Sequence, residues 1–192
     1  LYIKADPTYL TTKSYIDATV DNLRIEGSEG GIFAYLSNPQ DRIRIKGGYV
    51  SYKMVYSATD DLQGYKNGVM IFAGLNPDVQ MSQIEIDGME FNGKISDADK
   101  DLIIKNDNGI AADISILRFG RDGAYAGIKQ NVDLTLKNLR QTEGKPLFVR
   151  TLYGNGDNIT IQNCPNIIYR GEANSLTVKD VGVFSVAGNW SN

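Results

Sequence analysis

The chain has 192 residues, 42% of them apolar, and a net charge of −3. That is single-domain size with enough apolar residues for a substantial core, which excludes a disordered chain. The acidic balance argues against nucleic acid held by general electrostatics, and no run reaches the roughly 20 apolar residues of a membrane span.

Taken in chain order, one short pattern keeps returning: two aliphatic residues one position apart, then a turn-former. "LYIKAD" fits it from Leu1, followed by "NLRIEG" (Asn22 to Gly27), "RIRIKG" (Arg42 to Gly47) and "QIEIDG" (Gln83 to Gly88). It recurs in "DISILR" (Asp113 to Arg118), "DLTLKN" (Asp133 to Asn138), "DNITIQNCPN" (Asp157 to Asn166) and "SLTVKD" (Ser175 to Asp180). The first aliphatic positions are Leu1, Leu23, Ile43, Ile84, Ile114, Leu134, Ile159 and Leu176. Most gaps lie near about 20 residues, which is a solenoid period. The gap from Ile43 to Ile84 is either two turns of the repeat or one turn with a long loop.

Period-two alternation makes each copy a strand with one apolar face. Pairs such as Ile43/Ile45, Ile84/Ile86, Leu134/Leu136 and Ile159/Ile161 should point inward as aliphatic ladders, with Ile114 in the same stack. The outward stripes run through Arg24, Arg44, Glu85 and Thr135, and through Lys46, Asp87, Leu117 and Lys137. Asn163, closing its copy, suits a left-handed turn. A leucine-rich repeat is excluded, because its upstream apolar position holds Gln40, Asn131 and Gly156 among others. Its helical half is also missing. After each turn comes a second β-rich run: "GIFAYL" (Gly31 to Leu36), "YVSYKMV" (Tyr49 to Val55), "PLFVRT" (Pro146 to Thr151), "NIIYRG" (Asn166 to Gly171) or "GVFSVAG" (Gly182 to Gly188).

This pattern resembles the right-handed parallel β-helix family, the pectate-lyase-like fold shared by polysaccharide lyases, bacteriophage tailspikes and some adhesins. The resemblance covers nearly the whole chain. It implies an all-β solenoid of roughly seven to nine coils of about 20–25 residues, forming one domain over residues 1–192. A motif already under way at Leu1 favours a segment of a longer protein, and ends with Trp190 as sole lid favour edge association. The nearest likeness is a tailspike segment that recognises a bacterial surface polysaccharide, with or without degrading it. That likeness implies a homotrimer on a virion or another extracellular surface; no cofactor is expected, and the lack of a long apolar run argues against membrane insertion. The rivals are a polysaccharide lyase acting on uronic-acid polymers and a non-catalytic adhesin or structural virion segment.

The chain contains no histidine, which removes Ser-His and Cys-His triads and leaves carboxylates, Tyr, Lys and Arg as acid–base groups. Glu85 and Asp87 are the best-placed carboxylate pair for a glycosidase, within about 7 Å on one strand face. The competing reading pairs them with Arg44 and Lys46. Arg150 and Arg170, with Phe148 and Tyr169 beside them, form a shelf for an acidic sugar. The long loop "SATDDLQGYKNG" (Ser57 to Gly68) offers Asp60, Asp61 and Tyr65 as rim contacts. Asp97, Asp99 and Asp101 imitate the start of a calcium loop but lack its later ligands, so no metal is expected. Cys164 is read as small packing filler.

Overall fold

The structure, a computed structural model, describes residues 1–4, 15–28, 31–36, 40–54, 69–73, 82–95, 115–120, 132–142, 147–152, 158–171 and 173–186. Among them there is no α-helix, and the strands come in successive sets. The first two sets are β1 (Tyr2–Lys4), β2 (Asp17–Asp21) and β3 (Arg24–Ser28), then β4 (Ile32–Leu36), β5 (Arg42–Lys46) and β6 (Tyr49–Met54). Next follow β7 (Val69–Ala73), β8 (Ser82–Asp87) and β9 (Glu90–Ile95), then β10 (Ser115–Gly120), β11 (Val132–Lys137) and β12 (Arg140–Gln141). The remainder are β13 (Leu147–Leu152), β14 (Asn158–Cys164), β15 (Ile167–Arg170), β16 (Ser175–Val181) and β17 (Phe184–Val186). They build three parallel sheets of seven, six and four strands, ordered β1-β4-β7-β10-β13-β15-β17, β16-β14-β11-β8-β5-β2 and β12-β9-β6-β3. Up to β12 successive strands are dealt to the three sheets in rotation, and from β13 to β17 they alternate between the seven- and six-stranded sheets. Each strand therefore pairs with one from the set before or after it, never with its chain neighbour.

The buried faces of the three sheets share one core. Ile43, Ile84, Leu134 and Ile159 are register neighbours in the six-stranded sheet, and all are fully buried. Ile45, Ile86, Leu136 and Ile161 form the next column. At the entrance to the sheet, the buried Asp41 carboxylate accepts the Ile16 amide at 2.7 Å, while the Arg42 amide donates to the Ile16 carbonyl. This clamps β2 against β5.

One column sets the register of that sheet. The residue after Asp21, Lys46, Asp87, Lys137, Gln162 and Lys179 (Asn22, Gly47, Gly88, Asn138, Asn163, Asp180) has φ between 49° and 73°, in the left-handed region; the first four follow their strands and the last two lie within β14 and β16. Only Gly, Asn and Asp enter it cheaply. The Asn22, Gly47, Gly88 and Asn138 amides each donate to a carbonyl of the next strand at 2.7–3.1 Å, so the backbone ladder continues through the turn. The side chains ladder as well. Asn163 Nδ2 donates to Asn138 Oδ1 at 2.7 Å, and Asn138 Nδ2 to Asp87 Oδ1 at 2.6 Å.

The resulting frame corrects three of the eight motif copies. Tyr2–Lys4 pairs with β4 in the seven-stranded sheet. "NLRIEG" begins at the turn residue Asn22 and continues as β3 in the four-stranded sheet, and the strand before it is "DATVD", with Ala18 and Val20 in the aliphatic columns. Ile84 pairs directly with Leu134, so Ile114, itself outside the described residues, has no place between them. The strand following it, β10, lies in the seven-stranded sheet, and its Leu117 is fully buried rather than outward. Ile43 also pairs directly with Ile84, so their long gap spans a single step of the six-stranded sheet.

A Cβ on Gly48, at φ 97°, would collide with the Leu23 carbonyl oxygen, whereas one on Gly88 meets only ordinary contacts. Gly48→Ala should cost about 2 kcal/mol or more. Gly88→Asn, compatible with the left-handed turn, should stay within about 0.5 kcal/mol of the parent. Urea unfolding followed by circular dichroism would measure both, and equal losses would refute the difference.

Candidate functional site

On a parallel strand the side chains that do not enter the core stand in rows on the opposite face. The six-stranded sheet carries three such rows, each in unbroken register. The first is Asp17, Arg42, Gln83, Asp133, Asn158, Ser175, and the second is Thr19, Arg44, Glu85, Thr135, Thr160, Thr177. The third is Asp21, Lys46, Asp87, Lys137, Gln162, Lys179. Between the first two lies an open groove of about 270 Å³, lined on its polar side by Arg42, Arg44, Gln83, Glu85, Asp133 and Thr135. Gln83 and Asp133 are exposed, while the arginines and Glu85 are partly covered.

Glu85 and Asp87 stand on β8, facing outward as the alternation requires. Lys137 reaches both, with Nζ at 2.6 Å from Glu85 Oε1 and 3.4 Å from Asp87 Oδ2. Asp87 also accepts from Asn138. Arg44 and Lys46 are indeed their register partners, yet Arg44 turns the other way, to Asp17 Oδ1 at 2.8 Å and Thr19 Oγ1 at 3.1 Å. The cation of the carboxylate pair thus comes from the strand after β8, not from the one before. Its hydrogen bond to Glu85 raises the Lys137 pKa, with partial burial opposing and the charges of Glu85 and Asp87 adding to the rise.

Arg150 and Arg170 are register partners, as their equivalent sequence positions imply, and Arg118 of β10 extends the same row. The aromatics expected beside them reach no solvent. Tyr169 is fully buried, its hydroxyl 2.8 Å from Thr151 Oγ1 and its ring stacked 6.1 Å from that of Phe184. Phe148 is equally buried. Alternation alone separates Tyr169 from Arg170, because adjacent strand residues face opposite ways. Asp60, Asp61 and Tyr65 lie outside the described residues, as do Asp97, Asp99 and Asp101.

The groove members that the sequence pattern did not single out are Arg42, Gln83 and Asp133. Their signal was position: each precedes the aliphatic pair of its own motif copy. Cys164 is buried with its thiol donating to the Gln162 carbonyl at 3.2 Å, and burial raises its pKa, so it is a packed and unreactive group. Among the described residues no group of side chains is arranged to hold a metal, and no helix is long and apolar enough to cross a membrane.

A lysine whose folded pKa is raised contributes stability below its ordinary pKa and loses it as pH climbs through the folded value. Lys137→Met should therefore cost about 0.5–1 kcal/mol at neutral pH. The gap between parent and variant should close only at strongly alkaline pH. Melting curves of both proteins across that range test the sign, and a gap that widens with pH would overturn it.

No family model, curated protein or solved structure matches the chain.

Proposed function

We propose that the chain is a right-handed parallel β-helix that recognises a bacterial surface polysaccharide, as a segment of a tailspike-like protein on a virion surface. Three parallel sheets filled in rotation up to β12, with the two larger ones filled alternately from there on, support the solenoid, because each turn of such a coil contributes one strand to a sheet. The observation that carries the binding role is the groove on the six-stranded sheet. It interleaves guanidinium donors (Arg42, Arg44) with carboxylate and amide acceptors (Glu85, Asp133, Gln83) and a hydroxyl (Thr135) along a rigid face. Sugar hydroxyls both donate and accept, so a surface alternating the two can satisfy several at once. An extended glycan meets a new pair of polar side chains at each strand spacing of about 4.8 Å, Arg42 and Arg44, then Gln83 and Glu85, then Asp133 and Thr135.

Recognition is favoured over hydrolysis. Glu85 and Asp87 are shared by Lys137 and already tie two strands together, whereas a glycosidase needs one carboxyl group available as an acid. The row Arg118, Arg150, Arg170 supports an acidic glycan as the ligand class on the second sheet.

A glycan array probed with the 192-residue chain tests the reading. Replacing Gln83 and Asp133 by Ala together should weaken binding to the best ligand roughly tenfold, about 1.4 kcal/mol, with the melting temperature unchanged. Absence of any glycan ligand would end the proposal. Loss of binding confined to the Arg150→Gln, Arg170→Gln double variant would move the site to the seven-stranded sheet.

A further inference from the structure

The charged side chains lining the groove on the six-stranded sheet divide into two kinds. Arg44 is answered by Asp17 Oδ1 at 2.8 Å, and Glu85 by Lys137 Nζ at 2.6 Å. Arg42 and Asp133 are not answered: neither has a side-chain hydrogen bond or ion pair among the described residues. Gln83 is the register partner of both and stands between them, likewise without a side-chain partner. Three consecutive strands thus present a guanidinium, an amide and a carboxylate in one row, all left over from the protein's own bonding.

The nearest groups that could complete the row are engaged elsewhere. Asp17 is the register partner of Arg42, yet its Oδ1 accepts from Arg44. Asn158, beyond Asp133, has its Oδ1 taken by Asn174 Nδ2 at 3.1 Å and Ser175 Oγ at 2.8 Å. Lys137 is held between Glu85 and Asp87. Backbone bonds fix the spacing of the row, the Arg42 amide donating to the Ile16 carbonyl and the Gln83 amide to the Asp41 carbonyl. Arg42 and Asp133 therefore stand two strand spacings apart, about 10 Å.

This leftover pair selects among glycans by charge. A ligand lying along the groove covers both groups, and covering a charge without a counter-charge costs free energy. A neutral glycan offers only hydroxyls at both places. A polyanion answers Arg42 but sets a like charge against Asp133, and a polycation does the reverse. A segment carrying one carboxylate and one ammonium answers both, through charge-assisted hydrogen bonds, and leaves the net charge of the groove unchanged. The guanidinium fork suits the carboxylate, which it can hold by two parallel N–H bonds.

We infer that the groove selects a dipolar glycan segment, with a uronate carboxylate on Arg42, the free ammonium of an amino sugar on Asp133, and Gln83 bonding the hydroxyls between. The inference rests on the groove being a polysaccharide site and names the class of polysaccharide.

Four oligosaccharides of one length and backbone test it by titration calorimetry. Hyaluronan oligosaccharide carries carboxylates alone, and its de-N-acetylated form carries carboxylates alternating with ammonium groups. Carboxyl reduction of each gives a neutral form and an ammonium-only form. The dipolar form should bind roughly tenfold more tightly than either singly charged form, and the advantage should shrink with added salt. Arg42→Gln should make the dipolar and ammonium-only forms bind equally. Asp133→Asn should make the dipolar and carboxylate-only forms bind equally. Variants that weaken all four forms alike would show a merely structural role and overturn the inference. A neutral form that binds as tightly as the dipolar one would overturn it and leave the polysaccharide reading standing. Failure of all four forms would also overturn it, and failure on the glycan array as well would end both.

Discussion

The structure depends on a left-handed residue that recurs at one turn. A parallel strand cannot satisfy its backbone within its own turn, so every amide and carbonyl waits for a neighbour one set away. That works only if each set returns to the same height and phase. The column Asn22, Gly47, Gly88, Asn138, Asn163, Asp180 enforces this, because a left-handed residue redirects the chain at the same register position in every strand run of the six-stranded sheet. The amides from Asn22 to Asn138 keep bonding through the bend. Segments of different length can then join the strands without disturbing the pairing. Residues 47–81 separate β5 from β8, yet Ile43 still stands opposite Ile84.

Constant register has a second consequence, on the outer face. Whatever residue types occur at one motif position become a row, so a motif varied from copy to copy writes a pattern across the sheet. In the row through Asp21, Lys46, Asp87 and Lys137 the signs alternate, and the sheet neutralises its own charge. Partial coverage of Lys137 and its two carboxylates makes that network more than a solvated surface pair, yet each side chain keeps about a third of its area in water. Such pairs contribute modestly to stability. Their larger effect is on register, since a shift by one residue would move every charge to the core face.

Much of this was legible in the sequence, and the failures share a cause. Alternation identified β5, β8, β11, β14 and β16 with their inward pairs and the turn at Asn163. It could not say to which sheet a strand belonged, because β3 and β10 alternate just as well as their neighbours. "NLRIEG" looked like a motif strand, whereas the true one, "DATVD", carried Ala18 in a column otherwise filled by Ile and Leu. A small residue suffices there because Ala18 sits at the end of the stack, where the column is only half-buried. At the site, strand face was readable for Glu85 and Asp87, but partner choice was not. Arg44 had two neighbouring strands to choose from and took Asp17. Nor could sequence spacing expose the burial of Phe148, since that depends on what lies over a sheet rather than on the strand itself.

The two larger sheets use the same constraint to opposite electrostatic ends. In the six-stranded sheet a cation is answered by an anion one strand away, as Lys137 is by Asp87 and Arg44 by Asp17. In the seven-stranded sheet three successive strands place arginine at one register position, Arg118, Arg150 and Arg170. Like charges set side by side at parallel-strand spacing oppose the pairing that brings them together. A row that alternates in sign neutralises itself, whereas a row of one sign does not. The fold sets the spacing, and the residue type chosen at one motif position sets the charge of the row.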